Sequence, residues 1–245
     1  MGSLLKWEMK QTLTSKHFWI LGAALVALPA LMLLLAISFG ADYTGYEAFL
    51  NGLNEYNAFV MFLIGVFAGI HVTGAFEGRK IQSAVMAGNS RFSILMAKFM
   101  SFSIVVTLYS IVAILVSTSI AFGAYGVTGL DGSFGRVIIL RTLVFIFVEI
   151  AYSATTFFAS MLVRHQGGAI GLNLGLMIMT NLAAQIFLNF EWSEKFVRLT
   201  PAGQAMLIVG DLSNKNIVMA LTASVIAIAA VIALSFLKFR REELK

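Results

Sequence analysis

The chain has 245 residues, of which 59% are hydrophobic and 12% charged, with 17 Lys and Arg against 12 Asp and Glu and no cysteine. A mean hydropathy of +0.89 and so few charges place it among integral membrane proteins, since soluble domains carry roughly 25% charged residues. The missing cysteines exclude disulfides, thiolate metal centres and cysteine nucleophiles, and the net charge of +5 reads as membrane topology rather than affinity for nucleic acid.

Residues 1–17 are too polar to cross a bilayer. Leu5, Met9 and Leu13 recur every four residues, with Lys6, Lys10 and Gln11 elsewhere and Trp7 as an interface anchor, which predicts a helix lying in the membrane surface. Residues 18–41 are uncharged and long enough to span, which takes about 20 residues, and Pro29 is expected to kink them. After a connection bearing Asp42, Glu47 and Glu55, residues 58–76 form a second expected span with His71 near its far end. A polar segment, 77–98, leads into a third span over 99–121 and a glycine-rich turn. The fourth span, 138–163, carries Arg141 and Glu149. The turn Arg164-His165-Gln166-Gly167-Gly168 precedes a fifth, 169–188, with Asn173, Asn181 and Gln185. Residues 191–215 form a longer connection, apolar enough in parts to dip back into the membrane. The sixth span, 217–237, ends in KFRREELK. The expectation is a single all-α transmembrane domain over 1–245.

Charge orients such a bundle. With the N-terminus, the 77–98 segment, the 164–168 turn and the C-terminus on one side, that side holds twelve of the seventeen basic residues: Lys6, Lys10, Lys16, Arg79, Lys80, Arg91, Lys98, Arg164, Lys238, Arg240, Arg241 and Lys245. The opposite connections hold Arg136, Lys195, Arg198 and Lys215 beside seven acidic residues. Basic residues accumulate in cytoplasmic loops, so both termini are expected in the cytoplasm.

Catalytic chemistry finds little footing. The sequence has no GxxxxGK[ST] to cradle phosphates, no HExxH, and no Ser-His-Asp set. His17, His71 and His165 are scattered, without an acidic cluster or cysteine to complete a metal site. No catalytic, metal or cofactor-binding residue is assigned to this chain.

The 77–98 segment, EGRKIQSAVMAGNSRFSILMAK, stands out between two apolar runs. As a helix, Ile81, Ala84, Val85 and Gly88 share one face. Gly88-Asn89 supplies a stop, and Ser90 is placed to cap the helix that follows. A short helix with a small-residue apolar ridge suits insertion into a groove on a soluble partner.

Glu77-Gly78-Arg79-Lys80-Ile81, then Gly88-Asn89-Ser90-Arg91, Ile94-Leu95 and Lys98, resemble the loop between the second and third spans of ABC-2-type transporter permeases. That loop typically opens with an acidic residue and Gly and closes with a small-Ser-Arg step and a Lys. Here Arg79 stands for the common Thr, and Gly88-Asn89 for a more usual Pro-apolar pair. The N-terminal interfacial helix, the six spans and Leu199-Thr200-Pro201 before the last span extend the resemblance over nearly the whole chain. It implies a type V exporter-like fold and a dimer, homotypic or with a second permease. It also implies two cytoplasmic ATPase subunits that hold ATP and Mg, with Glu77, Gly78, Arg79, Lys80, Ile81, Ala84, Val85, Gly88 and Arg91 as the ATPase-coupling residues. The short chain is similar to bacterial permeases for lantibiotic immunity and bacitracin resistance, and most of all to phenol-soluble modulin exporter permeases. The expected cargo is therefore an amphipathic or antimicrobial peptide moved out of a bacterial plasma membrane. Glu149, the one carboxylate deep in a span, with Asn173, Asn181 and Gln185, forms the expected substrate path; a protonated or hydrogen-bonded structural role for Glu149 is the alternative. Rival readings are an ABC-2 exporter of a lipid-linked glycan, drug or ion, an ATP-independent small transporter, and a noncatalytic membrane anchor.

Overall fold

Backbone amides in a chain this apolar must satisfy one another. Residues 2–78, 80–129, 134–187, 200–210 and 213–241, which the computed structural model describes, do so in helices joined by turns, with no strand among them. In chain order these are α1 (Gly2–Thr14), α2 (Lys16–Ser38), α3 (Gly45–Ala68), a π turn (Gly69–Thr73), α4 (Gly74–Glu77), α5 (Lys80–Met86), α6 (Arg91–Tyr125), α7 (Phe134–Leu162), α8 (Gln166–Phe187), α9 (Pro201–Gly210) and α10 (Asn214–Arg241). α3, the π turn and α4 form one continuous rod.

Among the described residues, five helices are long and apolar enough to cross a membrane: Lys16–Ser38, Gly45–Glu77, Arg91–Tyr125, Gly135–Leu162 and Asn214–Arg240. The fifth expected span, 169–188, falls on α8, a helix of 22 residues that runs up to the undescribed residue 188. α9 lies in the expected dipping connection. Its 10 residues reach only about 15 Å at 1.5 Å per residue, too short to span. It buries Ala202, Gly203, Gln204, Ala205 and Ile208 against the bundle, chiefly α7.

Local chemistry sets the helix starts. α3 begins at Gly45, ahead of residue 58 where the second span is expected, because Thr44 and Glu47 form a capping box. The Thr44 hydroxyl accepts from Glu47 N at 3.2 Å, and the Glu47 carboxylate accepts from Thr44 N at 2.8 Å. Thr128, from the turn after α6, fastens this end by accepting from Gly45 N at 2.8 Å through its hydroxyl and from Tyr46 N at 3.0 Å through its carbonyl.

α3 and α7 are the inner helices. Tyr56, Phe67, Phe145 and Phe157 are almost wholly buried between them and α6. α2 and α10 lie outside: only 22% of the apolar stretch of each is buried, against 61% for the α3 rod. Their outer faces present Trp19, Ile20, Leu34 and Leu35 on α2 and Val225, Ile226, Leu234 and Leu237 on α10, side chains that suit hydrocarbon. α8 packs tightly on the rod, and a Cβ at Gly69 would lie 2.6 Å from Ile170 Cγ1 and 3.0 Å from Ile170 N.

Candidate functional site

The 77–98 segment folds as its residues suggest locally. α5 stops at Met86, Gly88 takes φ +83°, and the Asn89 side-chain amide donates to the Ala84 carbonyl at 3.1 Å. Ser90 then caps α6, its hydroxyl accepting from Ser93 N at 3.1 Å. The orientation of α5 differs from the expected ridge. Ile81 is buried among Phe76, Ile94, Leu95, Phe157, Met161 and Phe239, and Ala84 and Val85 pack half-buried on the same core. The apolar face binds the bundle. What α5 offers outward is Ser83 and Met86, with Met86 81% exposed and Ala87 exposed just past its end.

Both ends of this segment are fastened to other helices. The Glu77 carboxylate accepts from the backbone N–H of Gln166 at 3.0 Å, so an acid faces the first turn of α8, where free amides and the helix dipole favour it. Arg91 donates from Nη1 to the carbonyls of Phe239 and Arg240 at 3.0 and 3.1 Å, with its guanidinium 6.0 Å from the Phe239 ring. A cation thereby closes the last turn of α10. Displacing α5 would pull on α8 at one end and α10 at the other.

A third tie joins α1. Lys98, about two turns further into α6, forms an ion pair with Glu8 at 3.0 Å, both side chains 7% exposed. Glu8 and Thr12 are the buried residues of α1, whereas Leu13 of the expected apolar ridge and Trp7 are exposed. A buried acid facing a buried lysine explains this rotation, because removing either from its partner would strand a charge. The neighbouring π turn aims His71 into the same region: its ring nitrogens lie 3.4 Å from Thr12 Oγ1 and 3.2 Å from Ser101 Oγ, and it stacks on Phe67. Such insertions in an α-helix frequently mark functional places. Between α1, the π turn and α8 lies a cavity of about 210 Å³ lined by Glu8, Gln11, His17, His71, Lys98 and Gln166 among others.

The middle of the bundle is polar in a different way. Glu149 of α7 is completely buried, and neither carboxylate oxygen has a hydrogen-bond partner among the described residues. Asn173 of α8 donates to the Gly65 carbonyl at 2.9 Å and to Ser160 Oγ at 2.8 Å, so it fastens three helices together. Asn181 donates to the Met177 carbonyl at 3.0 Å on its own helix. Arg141, expected near the outer edge of its span, is 3% exposed; it donates to the Val209 carbonyl at the end of α9 and lies 5.6 Å from the Tyr46 ring.

The structure therefore brings Glu77, Gly78, Ile81, Ala84, Val85, Gly88 and Arg91 together at one end and leaves Glu149 and Asn173 in the interior. Lys80 and Gln185 are placed by backbone alone, on α5 and α8, and Arg79 and Leu199 lie outside the described residues. Glu8 and His71 are the site members that the sequence reading did not select. The signal for Glu8 was slight: the lone acid in an otherwise basic first segment.

A family model described as ABC-2 family transporter protein matches residues 3–244. No curated protein matches the chain.

Proposed function

The chain belongs to the ABC-2 transporter family, the membrane components of ABC transporters, and on that premise we propose that it is the permease subunit of an ATP-driven exporter of amphipathic or antimicrobial peptides. A separate ATPase holds ATP and Mg and docks on α5; two permease chains, identical or not, enclose the path. α8 supplies the fifth of six spans, α1 lies at the membrane surface, and both termini are in the cytoplasm of a bacterial cell. Exposed Lys6, Lys10, Lys16, Arg164, Lys238 and Arg240 at the same end as α5 support that orientation. The proximity to phenol-soluble modulin exporters rests on the short chain and the 77–98 pattern.

The observation that carries the reading is the double fastening of α5, through Glu77 to α8 and through Arg91 to α10. A docking helix so tied turns movement of the ATPase into movement of spanning helices rather than of a loose loop. The absence of cysteine makes the test simple. Met86→Cys, the outermost position of α5, is paired with single cysteines along the surface of the proposed ATPase partner, and crosslinking is scored with and without ATP. A nucleotide-sensitive crosslink supports the coupling role. If neither Met86→Cys nor Ser83→Cys crosslinks while both proteins are folded and present, the ATPase-driven reading fails.

A further inference from the structure

Glu149 is the group whose chemistry the fold leaves unfinished. Its surroundings offer no resident positive partner among the described residues. From its own helix, Tyr152 is within electrostatic reach, and from α3 Tyr56, whose hydroxyl is bonded to Ser110 at 2.7 Å. α3 also carries Glu55, an acid. α6 contributes only Tyr109 and Tyr125 beyond Lys98, α8 and α9 have no ionisable side chain, and α10 has none between Lys215 and Lys238. Arg141 is eight residues away, about 12 Å along the helix, and its guanidinium is engaged with Val209 and Tyr46. The other unsatisfied interior groups include further acceptors: Asn57 Oδ1, beside Tyr56, and Asn173 Oδ1.

We propose that Glu149 is a cation-binding site in the centre of the bundle, whose ligand is a proton or an ammonium or guanidinium group of the cargo. A carboxylate at the middle of a membrane is costly, so it persists there when a positive or donating partner offsets that cost. A proton reaches it without a cavity. A cationic side chain of the cargo reaches it when α7 parts from α3 or α10. The cargo half of this assignment rests on the exporter reading; the site itself does not.

The experiment is labelling with dicyclohexylcarbodiimide, which reacts with the acid form of carboxyls in apolar surroundings. The full chain is reconstituted in phosphatidylglycerol–phosphatidylethanolamine vesicles without its ATPase, and adducts are mapped by peptide mass spectrometry on the wild-type protein. The expected result is an adduct on Glu149, lost as pH is raised if the ligand is a proton. Loss at fixed pH on adding dodecylguanidine, but not dodecanol, identifies an organic cation. E149Q shows no adduct at that peptide. Absence of an adduct at every pH, or an adduct indifferent to both pH and dodecylguanidine, overturns the proposal. Because no ATPase takes part, this result and the crosslinking result can fail independently.

Discussion

At the scale of single residues, several buried polar side chains in this protein join helices to one another. Glu8 and Lys98 make the plainest case, and they are 90 positions apart in the chain. Removing one partner of a buried pair leaves the other charge stranded, which typically costs about 3–5 kcal/mol, whereas replacing both by apolar residues is often neutral. Lys98→Met is therefore expected to destabilise the protein strongly in detergent, and Lys98→Met with Glu8→Leu to recover most of the loss. Equal denaturation midpoints for the single and double variants would show that the pair contributes nothing. Asn173 makes a smaller contribution by the same logic. Asn173→Ala loses bonds to Gly65 and Ser160 and should cost about 1 kcal/mol, given the modest worth of hydrogen bonds between membrane helices. Chemical unfolding in micelles measures it.

At the scale of elements, close packing decides how motion can pass. α8 lies so near the rod at Gly69 that an added methyl meets the side chain and backbone nitrogen of Ile170. Gly69→Ala should force α8 outward and cost about 1–3 kcal/mol as an overpacked contact. Gly69→Ala with Ile170→Ala should recover part of this, because the 2.6 Å contact is with a side-chain carbon. Thermal unfolding of the three variants tests the order. The fastenings of α5 carry a functional expectation. Glu77→Gln and Arg91→Met leave the helix itself intact, since its own stop at Gly88-Asn89 and the Ser90 cap are local. Such variants should still co-purify with the ATPase yet lose most cargo-stimulated ATP hydrolysis. Full stimulation in both variants would mean that coupling runs through other contacts.

For the whole molecule, the number of crossings separates the arrangements. Between Ser90 and Ser213 lie α6, α7, α8 and the short α9, which does not span. If α8 crosses the membrane, those two positions are on opposite sides; if it does not, they share one. Both are exposed, and the chain has no cysteine of its own. Ser213→Cys in intact cells is expected to react with a membrane-impermeant maleimide, and Ser90→Cys only after the cells are opened. Reaction of both from outside, or of neither, contradicts six crossings with cytoplasmic termini.

Much of this protein was readable along the chain because its signals are local. Length and apolarity mark the long helices, since a continuous apolar run of about 20 residues satisfies its backbone in a bilayer within itself as a helix. The Gly88-Asn89 stop and Ser90 cap act within three or four residues, and the 77–98 pattern with its flanking apolar runs led to the family. The rotation of helices about their axes was not local. Both faces of a helix within an apolar bundle are hydrophobic, so periodicity could not say that Ile81 turns inward or that α1 buries Glu8 and Thr12 and exposes Leu13. Those orientations follow from partners far off in sequence: Lys98 for Glu8, the α10 carbonyls for Arg91, the end of α9 for Arg141. The sequence by itself determined that this chain is a helical membrane protein with a polar helix set between two spans. Only the tertiary structure decided which charges are paired and that Glu149 has no partner among the described residues, because pairing depends on distances that folding alone creates.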